Sequence, residues 1–366
     1  MFRGLTRQLL LPLLLLLGLC QSAHAIEVTD VLGRKVAIDH APQRIVLGEG
    51  RLFFALALLD RDNPFQRVVG WQNDMRLLDP HTYEVYAQKY PQIASLPLIG
   101  QASEQSVSAE QILALKPDLA VFSIAGEGPT QHSPVADLLA KAGVPVLFID
   151  FRVQPIRNTR VSLEALGQLL GRQQQAQEYL AFYDRHLKAV TERVADLKDS
   201  ERPRVFLELL AGVWQAPGHT TGKSGLGSVV ATVGGHNIGA DVVPGALGDV
   251  SVEYVLKADP DVYIATGNRA PGVLLGAGVT QDTARQSLAR ITARPEFAAL
   301  RPIQAGQAHG LWHDFYNSPF NILAVEAMAR WIHPQRFADL DPARTMGEIN
   351  GMLKVGLDGQ YWIDAK

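Results

Sequence analysis

One short pattern occurs twice in this chain, and it constrains the architecture more than any other feature. Ser108, Glu110, Leu113, Pro117, Asp118 and Leu119 stand in the same order and spacing as Ser251, Glu253, Leu256, Pro260, Asp261 and Val262. The two copies lie 143 residues apart, a spacing that fits two similar lobes and not a short solenoid repeat. Each copy carries the same local physics. Ser108 and Ser251 can cap a helix by accepting backbone N–H bonds. Glu110 and Glu253 then fall in the first turn, where the helix dipole favours a carboxylate. Proline disfavours helix in the residue before it, so each helix ends after about two turns. A buried strand follows, 119–122 in one copy and 262–265 in the other.

The same alternation runs through both halves. Arg44–Leu47, Arg67–Gly70, Val144–Ile149 and Arg204–Leu207 are short, apolar and rich in β-branched residues. Helical stretches lie between such runs, among them Phe53–Leu59, Val135–Ala142 and Gly225–Val233. Strands alternating with helices predict parallel α/β sheets. Between the halves, roughly Arg172 to Lys198 reads as a long helix, with an apolar stripe that includes Tyr179, Tyr183, Leu187, Val190 and Val194. At 1.5 Å per residue it would reach about 40 Å, enough to tie two lobes along one side. The expected fold is therefore two α/β lobes with parallel sheets joined by a single long helix. The expected divisions are 26–171, a linker at 172–200, and 201–366.

Residues 1–25 have a different character. Arg3 and Arg7 precede an apolar run, Leu9 to Leu19, and Ala23-His24-Ala25 supplies a small-x-small cleavage site. That order is a secretory signal peptide, and the run is shorter than the roughly 20 residues of a membrane span. Cleavage is expected before Ile26. The only cysteine, Cys20, falls in this leader, so no disulfide framework is expected in the mature chain. Lipidation of Cys20 is the competing reading, and the preceding Leu19 argues against it. Loss of the leader's two arginines takes the formal charge from −3 to −5, which gives no basic footprint for nucleic acid. About 340 residues remain, more than one comfortable core.

Taken in order, these features resemble the periplasmic binding proteins for ferric siderophores, haem and cobalamin. The likeness runs over the whole mature chain. It begins with Val28-Thr29-Asp30 and Ala41-Pro42-Gln43-Arg44, continues through both Ser-x-Glu helices and Gly234-Gly235-His236, and ends with Trp312 to Pro319 leading into a helix. The resemblance implies two lobes on a rigid helix, ligand held in the cleft between them, and no chemistry performed on the ligand. It implies no cofactor, action as a monomer, and as partners a ferric chelate and an ABC permease with its ATPase subunit. Glu110 and Glu253 match the lobe-tip glutamates that this family uses to dock on permease arginines. First-turn helix stabilisation is the compatible plainer role.

Open α/β sheets bind ligands at the carboxyl ends of their strands, which points to particular loops. In the first lobe these hold Arg51, Trp71, residues 123–127 and Arg152. In the second they hold Trp214, Arg269, His313, Asp314, Phe315 and Tyr316. Trp71, Trp214, Phe315 and Tyr316 could wall a large apolar or flat ligand, with core packing as the alternative for each. Arg51, Arg152 and Arg269 could pair with anionic oxygens. His313 and Tyr316 could also ligate a metal, although no metal set is assigned. His309 and His313 lie four apart on an expected strand, over 12 Å at roughly 3.3 Å per residue, and so make a poor pair of ligands. Gly218 to Ser224 looks like a phosphate loop but is one residue short between its glycines. The expected ligand is a ferric siderophore, with haem, cobalamin or an oxyanion such as molybdate as alternatives. A periplasmic hydrolase is the rival of another class, and no nucleophile elbow or recognisable triad supports it.

Overall fold

The structure, a computed structural model, describes residues 25–126, 128–214 and 216–365. The expected leader through residue 24, with Cys20, lies outside the described residues, as does Glu127.

Each half builds a five-stranded sheet. The first runs, in spatial order, Leu98–Gly100, Val68–Gln72, Ile45–Leu47, Leu119–Ser123 and Val146–Ile149, with every pairing parallel. The second runs His236–Asn237, Arg204–Glu208, Val262–Gly267, Ala308–Trp312 and Trp362–Asp364, and only the last strand is antiparallel. Both sheets reverse their winding beside the strand of the sheet that comes first in the sequence, Ile45–Leu47 and Arg204–Glu208. In both, the strand across that reversal is the one that follows the Ser-x-Glu helix.

The repeated residues are explained by this position. Ser108 accepts from the Gln111 amide and Ser251 from the Tyr254 amide, capping the helices Ala109–Ala114 and Val252–Ala258. The aspartate after each proline reaches back to the start of that same first strand of its sheet. Asp118 accepts from the Gln43 and Arg44 amides, and Asp261 from the Arg204 amide at 2.7 Å. Both residues before the prolines, Lys116 and Asp259, sit at positive φ. The helices thus stop where the prolines predict, through a left-handed turn.

The connection between lobes is a pair of helices. Gln173–Val194 is the expected long helix, and its 22 residues span about 33 Å. It ends before Lys198 because the Leu197 amide folds back onto the Val194 carbonyl in a tighter turn. Pro155–Leu170 precedes it, with proline in the first turn and Gly171 in the left-handed C-cap. Both helices pack on both lobes. Tyr179 and Tyr183 donate their hydroxyls to the Pro319 carbonyl and the Asn321 side chain in the second lobe. Phe54 of the first lobe meets Trp312 and Phe320 of the second edge-on at 6.0 and 5.5 Å. The apolar core therefore continues from one lobe into the other, which opposes free hinge motion.

Candidate ligand-binding cleft

A cavity of about 430 Å³ lies between the lobes at the carboxyl ends of the strands. Its first-lobe wall is made by Ala125 and Gly126, in the expected loop after Leu119–Ser123, and by the loop after Val146–Ile149. Asp150, fully buried there, accepts from the amides of Arg152, Val153 and Gln154 at 2.7–2.9 Å and from Asn158 Nδ2 at 2.7 Å. One carboxylate thus fixes a tight turn and starts the following helix. The turn lays the Arg152 guanidinium 4.8 Å from the centre of the Tyr316 ring, a cation–π distance. It also aims the Val153 carbonyl at the Gly225 amide of the second lobe, 3.0 Å away.

The second-lobe wall comes from the segments after Arg204–Glu208 and Ala308–Trp312, with residues 221–226 and 246–247 beside them. Glu208 anchors the first of these. Buried, it receives both Nη atoms of Arg294, the Tyr263 hydroxyl and the Gly218 amide. That clamp holds the segment carrying Leu209, Leu210, Trp214 and His219, all on the cavity wall. Trp214 is 51% exposed, large for an indole, and its ring lies 5.0 Å from that of His219. His219 Nδ1 sits 2.9 Å from Asp249. His313 and Tyr316 complete the wall with ring centres 4.6 Å apart. Burial pushes the His313 imidazole down to about 3, and the charges of Arg51, Arg152 and Arg269 add to that against the opposing effect of Asp314. The ring is therefore neutral at any ordinary pH.

Five of the residues expected in the cleft stand elsewhere. Trp71, 1% exposed, packs edge-on to Phe65 and beside Tyr83 in the first-lobe core. Phe315, also buried, meets Trp312 edge-on. The alternative of core packing holds for these two because each points from its strand end into the aromatic layer. Arg51 and Asp314 form a buried ionic seam behind the cavity. Arg51 reaches Asp74 at 2.9 Å, Asp314 of the other lobe at 2.8 Å and Glu49 at 3.5 Å. Asn268 and Asn317 add bonds to Asp314 and Glu49. Arg269 is half-buried on Asn268 and acts on the site through its charge. The structure thus brings Arg152, Trp214, His313 and Tyr316 together at one cavity. Glu110 and Glu253 are both exposed at their helix starts.

Asp79, also buried, feels the charge of Asp314 in this seam. Burial, then the charge of Asp314, pushes this carboxyl up to about 7. In the unfolded chain it ionises near 4. Between those values the native protein holds a proton that the unfolded chain has lost, so this group makes stability fall as pH rises through that window. Asp79→Asn should flatten that part of the profile. Urea unfolding at about pH 5 and about pH 8 measures it, and an unchanged slope would contradict the assignment.

His219, Leu209, Leu210 and Leu247 line the cavity without having been singled out in the sequence. The strand-end rule did point to the loop after Arg204–Glu208, and Trp214 was its only legible member. Leucines carry no binding signature, and His219 sat inside the phosphate-loop look-alike. Among the described residues no group of three His, Cys, Asp or Glu side chains is placed to hold a metal ion, and no helix is long and apolar enough to cross a membrane.

Comparison with known proteins bears on the fold and the family. The vitamin B12-binding proteins of Yersinia pestis (strain Pestoides F) and Yersinia pseudotuberculosis (serotype O:1b) are 32% identical over 171 residues, 46% of this chain and 56% of theirs. The chain thus spans about half the length of the curated relatives it matches. The TroA-like periplasmic binding protein FepB from Veillonella parvula superposes with a TM-score of 0.84 over 93% of this chain and 99% of its own, at 23% identity. The Haemophilus influenzae molybdate-binding protein MolA does so at 0.67 over 89% and 97%, at 19% identity. At such identities the two structures establish a shared fold. A sequence profile for periplasmic binding proteins matches residues 74–311, well over half of the chain, and the protein belongs to that family.

Proposed function

We propose that this protein is the periplasmic solute-binding component of an ABC import system, and that it captures a compact anionic metal chelate, a ferric siderophore, between its lobes. The observation that carries this reading is the cavity itself. Both lobes contribute to it, its walls are leucine and aromatic surface, and a guanidinium lies over an aromatic ring at one side. Ligand sites of this kind are mostly apolar with a few placed polar groups, and they run from about 300 to 1,000 Å³. At about 430 Å³ the cavity sits low in that range, which favours a compact chelate over an enclosed corrinoid. Cobalamin is the second reading, favoured by the relatives named as vitamin B12-binding proteins. The family's role is binding and delivery, so no turnover of the ligand is expected. Secretion through the leader, with a mature start at Ile26, belongs to the same proposal, as does a permease partner.

Native mass spectrometry after exposure to ferric catecholates, ferric hydroxamates, haem, cyanocobalamin and molybdate would test it. One ferric siderophore per chain is the expected result. Retention of cyanocobalamin alone would select the second reading, and retention of nothing would overturn both. With the retained complex, Trp214→Ala and Tyr316→Ala should each weaken binding about tenfold or more, because truncating an aromatic anchor can cost about 2 kcal/mol. Calorimetric titration reads this, and wild-type affinity in both variants would place the ligand elsewhere.

A further inference from the structure

Two groups in the second lobe share the hydroxyl of Thr266. Leu210, a bulky residue on the cavity wall, is held at a φ of +47°, a region that side chains of its size rarely occupy. Its amide donates to Thr266 Oγ1 at 2.9 Å. The same oxygen lies 2.9 Å from His313 Nδ1. Thr266 is fully buried on Val262–Gly267, and its hydroxyl has no third hydrogen-bond partner among the described residues.

A threonine hydroxyl has one proton and two lone pairs. If His313 carried its proton on Nδ1, Oγ1 would accept twice and its own proton would face no acceptor inside the protein, a state native interiors avoid. If Nδ1 is bare, Oγ1 accepts from Leu210 and donates to the ring, and the amide, the hydroxyl and Nδ1 are all satisfied. The ring proton then sits on Nε2. Nε2 has no protein partner among the described residues, and His313 lines the cavity.

We propose that Thr266 fixes His313 as its Nε2–H tautomer, so that His313 meets the ligand as a hydrogen-bond donor to a chelate oxygen and does not ligate the metal. This rests on the cleft being the binding site, as proposed above. A metal needs a lone pair, and in this tautomer the ring's in-plane lone pair is committed to Thr266. The site therefore selects complexes that present carboxylate, catecholate or similar oxygens on their outside, and not complexes that need an axial imidazole. Thr266 is a positioning residue in this account, and the strained Leu210 backbone is held by the same bond.

Ring nitrogen ¹⁵N NMR of the ligand-free protein, assigned through the loss of signals in His313→Gln, reads the tautomer directly. The expected result is a bare Nδ1 and a protonated Nε2, unchanged between about pH 5 and pH 8. A protonated Nδ1 would overturn the proposal. Thr266→Ser should keep the tautomer and Thr266→Val should release it; an unaltered tautomer in Thr266→Val would remove Thr266 from the role. For binding, the probe is the panel complex that the wild type retains most tightly. His313→Gln, which can still donate, should keep about tenfold more affinity than His313→Leu. Equal losses accompanied by a change in the metal's absorption spectrum would instead establish ligation. Should no panel complex bind the wild type, the cleft reading fails, while the tautomer measured without ligand stands or falls by itself.

Discussion

Arg51→Leu should destabilise the protein by about 3–5 kcal/mol, the usual consequence of removing one partner from a buried ionic cluster. The Arg51 side chain is 2% exposed, and Glu49, Asp74 and Asp314 beside it are fully buried. Leucine would leave these carboxylates facing one another without the guanidinium that now lies among them. Such groups must then take up protons or draw in water, and both weaken the fold. Arg51→Lys should recover only part of the loss, because a single ammonium cannot address three carboxylates as a planar fork does. Equilibrium unfolding in urea measures the effect. A loss below about 1 kcal/mol would show that the seam behaves as solvated surface charge. Since the Arg51–Asp314 bond crosses between the lobes, a large loss also ties lobe orientation to overall stability.

Reversing both lobe-tip charges, Glu110→Arg with Glu253→Arg, should abolish delivery while leaving capture intact. Both carboxylates are exposed, and each opens a serine-capped helix at an equivalent place in its lobe. Neither lines the cavity. In the proposed docking, a permease of two subunits would need both contacts to orient the protein across its mouth. Exposed ion pairs contribute only about 0.2–1 kcal/mol each, which keeps docking reversible after release. The double variant replaces two attractions with two repulsions. It should bind ligand as the wild type does, yet fail to support uptake or to stimulate the transporter's ATPase. Normal uptake at low protein levels, where docking limits the rate, would sink the docking role. Lost ligand affinity would move these residues into the binding site.

Much of the fold was legible because local chemistry and tertiary position agree. The Ser-x-Glu-Pro-Asp pattern is a helix cap, a helix stop and a strand clasp in one, and each part acts within reach of its own segment. Phe53–Leu59 and Ala308–Trp312 stand where their apolar runs place them. The helix Pro155–Leu170 was hidden by Gly171, which ends it in a left-handed cap yet reads equally well as the start of the next helix. The site was harder. Strand-end loops found the right neighbourhood, and Arg152, Trp214, His313 and Tyr316 do meet there. An aromatic at a strand end, however, can face the cavity or the helix layer behind it. Trp71 and Phe315 face the layer, and no spacing rule separates them from Trp214. Arg51 was recognisable as a charge near the cleft, but its partners, Asp74 and Asp314, lie 23 and 263 residues away. Thr266 and Asp150 act through hydroxyl and carboxylate bonds that only the folded chain assembles.

The central claim is that the space between the lobes holds the ligand, and anomalous X-ray scattering tests it most directly. Iron, cobalt and molybdenum, one of which is present in each panel complex, can all be located at their absorption edges in a crystal of the loaded protein. The account predicts one site per chain, inside the cavity walled by Arg152, Trp214, His313 and Tyr316, with ligand oxygen facing His313. A single well-occupied site elsewhere, such as the outer groove beside His309 and Trp331, would contradict it.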